Sequence, residues 1–211
     1  MKKSMKFYDF ATSALSGLLK VLFRVKIIGN RDQRELSSGI ICANHMSNWD
    51  PVILACSLKC SVSFMAKDEL FKIPVLRGLL KALGVFPIKR GTSDIAAIKM
   101  TLGLIKDGNN ICLYPQGTRC PGVDPASTEV KTGVAMLLNH SGGKILPVAM
   151  YTKNYKIKLF RRVFVIIGEP KTREYYNFED NSREEYQRVS EEIFADICSM
   201  LKRAENGEYG R

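Results

Sequence analysis

His45 and Asp50 are separated by four residues in the segment His45-Met46-Ser47-Asn48-Trp49-Asp50, which follows the apolar run Gly39-Ile40-Ile41-Cys42-Ala43-Asn44. An imidazole near its unperturbed pKa takes up a proton at neutral pH, and a carboxylate beside it fixes the tautomer and stabilises the imidazolium that forms. A turn that brought the two side chains together would therefore make a general base. The spacing admits a second reading: Pro51 suits the first turn of a helix, so Asp50 also fits an N-cap, with His45 a loop residue.

Four other segments place useful groups where strands should end. Met65-Ala66-Lys67 ends in a lysine, and Gly84-Val85-Phe86-Pro87-Ile88-Lys89-Arg90 ends in two bases. Tyr114-Pro115-Gln116-Gly117-Thr118-Arg119 combines a glycine, which lets backbone amides approach a ligand, with an arginine whose planar fork suits phosphate. Ile145-Leu146-Pro147-Val148 puts a proline in an apolar strand, which implies a sheet edge or a bulge beside a site.

The elements that must position these residues follow from periodicity. Residues 25–28, 39–43, 62–66, 110–114, 144–150 and 163–167 read as strands. Residues 51–58, 75–83, 92–107 and 129–140 read as helices, with Thr92 or Ser93 as a cap and Gly108 as a stop, and 184–202 as a charged C-terminal helix. This alternation predicts a single layered α/β domain with a largely parallel central sheet flanked by helices, and a site at the carboxyl ends of its strands.

Composition narrows the function classes. Six cysteines without a C-x2-C pair fit reduced thiols in a cytosolic setting, and two histidines leave little for a zinc site. No G-x-S-x-G, G-x-G-x-x-G or Walker pattern occurs, which disfavours a serine hydrolase and a nucleotide-binding enzyme. The net charge is +11, yet residues 169–211 hold 11 acids and 7 bases, so the basic surplus lies in the part that carries the motifs. That field attracts polyanions: nucleic acid, an anionic membrane or phosphorylated small molecules.

Near the N-terminus, Phe7, Phe10, Ala11, Ala14, Leu15, Leu18, Leu19, Leu22 and Phe23 follow helical spacing, with Lys2, Lys3, Lys6, Lys20, Arg24 and Lys26 around them. The pattern fits both a helix lying in a membrane interface and a helix packed on the core. It is too interrupted to span a bilayer, since the chain has no run of 18 apolar residues. Lys153, Lys156, Lys158, Arg161 and Arg162, interleaved with Tyr151, Tyr155 and Phe160, suggest a membrane-facing or CoA-facing hairpin rather than a nucleic-acid patch, because no nucleic-acid motif accompanies them. His140 precedes Ser141-Gly142-Gly143 at a helix end and reads as a helix-dipole partner.

In order and spacing, residues 38–150 resemble the glycerolipid acyltransferase family, in particular its bacterial 1-acylglycerol-3-phosphate acyltransferases. Asn44, His45, Ser47 and Asp50 match the N-H-x4-D block, and Phe86 and Arg90 match a second block, here with one extra residue between them. Gly117, Thr118 and Arg119 match the Glu-Gly-Thr-Arg block, Pro147 matches the proline of a fourth, and Lys67 falls on the lysine between the first two. Gln116 departs from the pattern, standing where the family usually has glutamate.

The resemblance implies acyl transfer to the sn-2 hydroxyl of 1-acylglycerol 3-phosphate, giving phosphatidate in phospholipid synthesis. His45 and Asp50 would be catalytic, Lys67, Arg90 and Arg119 would bind the substrate phosphate, and Gln116, Gly117 and Thr118 would form the acceptor and oxyanion region. Neither a cofactor nor a metal is implied, the acyl donor being acyl-CoA or acyl carrier protein. The expected partners are a lysophospholipid and an anionic membrane surface, with no nucleic acid, and the expected location is peripheral or monotopic on the cytoplasmic face of the cell membrane. Residues 1–30 would form the membrane-interface segment, 31–170 the catalytic domain and 171–211 a helical extension packed on it. A different lysolipid acceptor and a catalytically silent lipid-phosphate-binding protein are the alternatives that Gln116 keeps open.

Overall fold

The structure is a computed structural model that describes residues 5–32, 36, 38–88 and 94–210. In chain order it runs α1 (Met5–Leu22), β1 (Lys26–Ile28), β2 (Ile40–Ala43), α2 (Asp50–Ser57), β3 (Val62–Ser63), β4 (Met65–Lys67), α3 (Pro74–Ala82) and β5 (Phe86–Ile88). It continues with α4 (Asp94–Lys106), β6 (Asn110–Leu113), α5 (Gly133–Ser141), β7 (Lys144–Tyr151), β8 (Phe164–Ile167), β9 (Lys171–Thr172) and α6 (Arg183–Glu205).

The main sheet has the order β1-β8-β7-β2-β6-β3, with β9 also pairing with β7. β1–β8, β2–β7, β2–β6 and β3–β6 are parallel, whereas β7–β8 and β7–β9 are antiparallel. Every residue of β2, β6 and β8 is buried, as expected of strands covered on both faces and therefore apolar without alternation. α6 packs on β7 and α5, α4 packs on α5 and β6, and α1 packs on α2. The largely parallel α/β layering read from the sequence is thus what forms. β1 ties residues 26–28 into the main sheet, so the expected division at residue 30 falls just behind one of its strands.

The run at 62–66 is two strands, not one. β3 closes the main sheet, Phe64 turns the chain, and β4 pairs with β5 in a separate two-stranded parallel sheet. β5 and β9 are strands that apolar runs did not reveal, because each is only two or three residues long. α5 begins at Gly133 rather than at 129; residues 130–132 form the approach to it, pinned where the Lys131 amide donates to the Pro115 carbonyl at 2.8 Å. Thr92 and Ser93 lie outside the described residues.

Pro147 sits in an interior strand, not at an edge, and the expected bulge lies opposite it. Val148 pairs with Ile167 and Ile145 with Lys171, so the partner fits three residues, 168–170, against two of β7. The interruption falls where a proline has no N–H to offer. Gly168 makes the close contact possible, since a Cβ there would stand 3.0 Å from both the Pro147 carbonyl oxygen and its ring.

α1 has two apolar faces. Tyr8, Leu19 and Phe23 are buried against the domain, while Phe7, Phe10, Leu18 and Val21 form an exposed outer stripe. Among the described residues no helix is long and apolar enough to cross a membrane.

Candidate functional site

β2 and β6 are parallel neighbours, so the loops after them emerge at the same end of the sheet. One carries His45 and Asp50, the other Gln116 to Arg119. Asp50 does not cap α2. Its carboxylate turns back toward the preceding loop, where one oxygen, Oδ2, accepts from the Met46 amide at 2.6 Å and the Ser47 amide at 2.7 Å and pairs with His45 Nδ1 at 2.7 Å. Pro51 holds the early helical position that needs no N–H donor. Asp50 is completely buried and His45 is 17% exposed. An Nδ1–H directed at the carboxylate leaves the Nε2 lone pair as the available base.

The rest of the loop is held as firmly. The His45 amide donates to Gln116 Oε1 at 2.6 Å, and its carbonyl accepts from the Cys120 amide at 2.9 Å. The imidazole stacks on Tyr114, with ring centroids 4.0 Å apart and planes 14° from parallel. Burial first, then the nearby Cys112 and Asp50, push the Tyr114 phenol far above its ordinary pKa, so it stays a neutral wall beneath the imidazole. Asn44, just before His45, is fully buried and exchanges two bonds with Met150: its Nδ2 donates to the Met150 carbonyl at 2.9 Å, and its Oδ1 accepts from the Met150 amide at 2.8 Å.

Gln116 is buried with both ends of its amide engaged, since Nε2 also donates to Thr128 Oγ1 at 3.0 Å. Its side chain therefore braces the His45 loop, with one N–H of Nε2 and one lone pair of Oε1 outside these two bonds. Gly117 has φ +66°, the left-handed conformation that suits glycine, and its amide closes a turn onto the Tyr114 carbonyl at 2.9 Å. Thr118 and Arg119 are exposed beyond that turn.

Of the three expected phosphate ligands, Arg119 is exposed and its guanidinium donates to Asn48 Oδ1 at 2.6 Å, which sets it over the His45 loop. Lys67 is exposed at the end of β4, paired in register with Ile88 of β5. Arg90 lies outside the described residues. Three contributors escaped sequence reasoning: Tyr114 under the imidazole, Thr128 behind Gln116, and Asn48 beside Arg119. Asn48 lies inside the His45–Asp50 block and was within reach; Thr128 is twelve residues from its partner with no local signal.

His140 is exposed near the end of α5, with Nδ1 at 2.9 Å from the Met136 carbonyl of the preceding turn, consistent with a local role. A polar cavity of about 280 Å³ lies between α1 and the end of α2, beside Asp9, Thr12, Arg31 and Lys59, and includes no residue of the His45 site. The pairing of His45 with Asp50, with Arg119 bonded to Asn48 of the same loop, makes the ends of β2 and β6 the candidate site.

A family model described as Acyltransferase matches residues 24–151. A Bacillus subtilis protein named 1-acyl-sn-glycerol-3-phosphate acyltransferase is 29% identical over 167 residues, covering 77% of this chain and 81% of that protein. A Borreliella burgdorferi protein of the same name is 30% identical over 138 residues, covering 64% of this chain but only 54% of that one. The crystal structure of a 1-acyl-sn-glycerophosphate acyltransferase from Thermotoga maritima superposes with a TM-score of 0.68 over 96% of this chain and 84% of that one, at 21% identity, and so shares the fold.

Proposed function

We propose that this chain, which belongs to the acyltransferase family, moves a fatty acyl group from a thioester donor to the sn-2 hydroxyl of 1-acylglycerol 3-phosphate, forming phosphatidate. The observation that carries the reading is the 2.7 Å pairing of His45 Nδ1 with the buried Asp50 carboxylate. A glycerol hydroxyl is a poor nucleophile until its proton is removed. His45 Nε2 takes that proton as the oxygen attacks the thioester carbonyl, and Asp50 stabilises the imidazolium. The tetrahedral oxyanion is met by backbone amides at Thr118 and Arg119, and its collapse expels the thiolate, which receives the proton back from His45. Neither a covalent acyl-enzyme nor a resident cofactor is required.

Gln116 in place of glutamate is compatible with this scheme. A carboxylate would accept the same His45 amide bond, so glutamine keeps the loop in position without the charge. Arg119 and Lys67, with Arg90, supply the positive charge for the acceptor phosphate. Arg119→Ala is expected to raise the acceptor KM about tenfold or more, the loss of a charge-assisted bond, with little change in donor KM. An equal rise in both would argue against a phosphate role.

The acyl donor is acyl-CoA or acyl carrier protein, and the working location is the cytoplasmic face of the membrane, with residues 1–30 as the interfacial segment, 31–170 the catalytic domain and 171–211 the packed extension. The outer stripe of α1 supports the interfacial part. Phe10→Ser with Val21→Ser, which leaves the buried face of α1 intact, is expected to weaken co-sedimentation with anionic vesicles; unchanged sedimentation would remove α1 from the membrane.

The deciding assay is thiol release from acyl-CoA with 1-acylglycerol 3-phosphate, its dephosphorylated form and headgroup-bearing lysolipids, with His45→Ala as the blank. Release that depends on His45 and on the free phosphate supports the reading. Release with another lysolipid moves the acceptor, and silence with acyl-CoA and acyl carrier protein alike would favour a binding protein.

A further inference from the structure

The exposed apolar surface continues beyond α1. Trp49 is 45% exposed, Leu159 58% and Phe160 65%, and these residues come from two segments far apart in sequence. They are fastened to the same place. The Phe160 amide donates to the Leu22 carbonyl at the end of α1 and the Val163 amide to the Phe23 carbonyl, while the Phe23 ring lies 5.2 Å from Trp49. The C-terminal end of α1, the β7–β8 connection and the start of α2 therefore meet at one place, and each carries exposed apolar side chains. Trp49 immediately precedes the Asp50 that orients His45.

Phe160 has φ +61°, in the left-handed region that a bulky residue occupies only at an energetic cost. Its ring is not repaid by burial in the domain. A solvent-facing phenylalanine held in a strained backbone is explained by an apolar phase outside the protein. The surroundings indicate which phase. Lys153, Lys156 and Lys158 are exposed on the same connection, and Lys20 and Arg24 are exposed where α1 ends. The Lys156 side chain lies against Gly122, so the connection also borders the loop that carries Arg119. An apolar tip ringed by cations fits the acyl–headgroup boundary of an anionic bilayer, where the tip enters the chains and the lysines meet phosphates. An acidic protein partner would use the lysines but has no need of Leu159 and Phe160.

We propose that Leu159 and Phe160 form a second membrane-inserting element, which together with the outer stripe of α1 and Trp49 sets the His45 loop directly against an anionic lipid surface. The inference deepens the membrane part of the function proposed above and rests on it. A lysolipid acceptor would then reach the base without leaving the interface.

Trp49 is the only tryptophan, so its emission reports on this surface. With equimolar phosphatidylglycerol–phosphatidylcholine vesicles, the emission of the full chain is expected to move to the blue and to be quenched by lipids brominated in the acyl chain. Leu159→Ser with Phe160→Ser should weaken vesicle binding about tenfold or more, since each apolar side chain contributes in proportion to the area it buries. Phe160→Gly is the second variant. Glycine accepts φ +61° without strain, so it should melt no lower than the parent while losing vesicle affinity. Both variants should retain the parent's turnover of a short-chain lysolipid dissolved as monomers.

Unchanged vesicle affinity in both variants, or a Trp49 spectrum indifferent to lipid, would overturn the proposal. So would a loss confined to transfer from acyl carrier protein, which would make this surface a docking site for that acidic protein. A parent with no transferase activity on any acceptor would sink the functional reading, while the vesicle titrations would still decide whether the surface inserts.

Discussion

Asp50→Asn is expected to yield a folded protein whose kcat is about 10²- to 10⁴-fold lower, with acceptor KM little changed. All the bonds made by the Asp50 carboxylate converge on a single oxygen, Oδ2, which receives the Met46 and Ser47 amides and faces His45 Nδ1. An asparagine can put its carbonyl oxygen in that position, which keeps the turn, and its NH2 where Oδ1 stood, a buried position without a partner that costs about 1–3 kcal/mol of stability. What disappears is the negative charge that offsets the imidazolium formed as the acceptor loses its proton. His45→Ala removes the base itself and is expected to abolish transfer. Its backbone bonds to Gln116 and Cys120 remain, and the protein should still fold. Steady-state kinetics with circular dichroism on both variants check this; an Asp50→Asn enzyme within tenfold of the parent's kcat would remove the carboxylate from the mechanism. A raised KM at unchanged kcat would instead make Asp50 a support for acceptor binding.

The features legible in the sequence were those encoded locally. The strands β2, β6 and β8 are buried, largely apolar runs, and the His45–Asp50 pair sits within one turn, so its geometry follows from five consecutive peptide units. The reading could not tell a capping carboxylate from one turned back on its loop, because both begin with an acid before a proline. The 62–66 run was split because a single residue, Phe64, takes the chain from one sheet to another without any change in composition. Gln116 was read as part of the acceptor and oxyanion region, and what the sequence did not reveal is its bond to the His45 amide 71 positions away, a pairing that only the adjacency of β2 and β6 creates. Pro147 shows the same limitation: a proline marks a broken ladder but not which strand breaks, and here the bulge belongs to the partner at 168–170. For α1, both apolar faces were present in one helical pattern, and only the packing separates the stripe that meets the domain from the stripe left outside.

That long-range dependence makes Asn44 the most consequential residue outside the dyad. β2 and β7 pair in register up to Ala43 and Val148, and then the β2 backbone leaves the sheet while β7 continues to Tyr151. The Asn44 side chain takes over where the backbone departs. Its amide mimics a strand edge, giving a donor to the Met150 carbonyl and an acceptor to the Met150 amide in a site closed to water. This substitution of side chain for main chain lets the next residue, His45, swing out into the loop without stranding the polar groups of β7. Asn44→Ala would leave the Met150 N–H and C=O buried and unpaired, at about 1–3 kcal/mol each. The expected loss is therefore about 2–6 kcal/mol, or roughly 4–24 °C in Tm for a chain of this size. The effect should reach the chemistry too, because a β2 end no longer held to β7 lets His45 drift from the Asp50 carboxylate, lowering kcat even well below the melting temperature. Urea unfolding with unchanged m, read together with kcat at low temperature, tests both parts. A variant as stable as the parent would show that the Met150 groups find other partners, and a destabilised variant with full kcat would show that Asp50 and Gln116 alone hold the histidine in place.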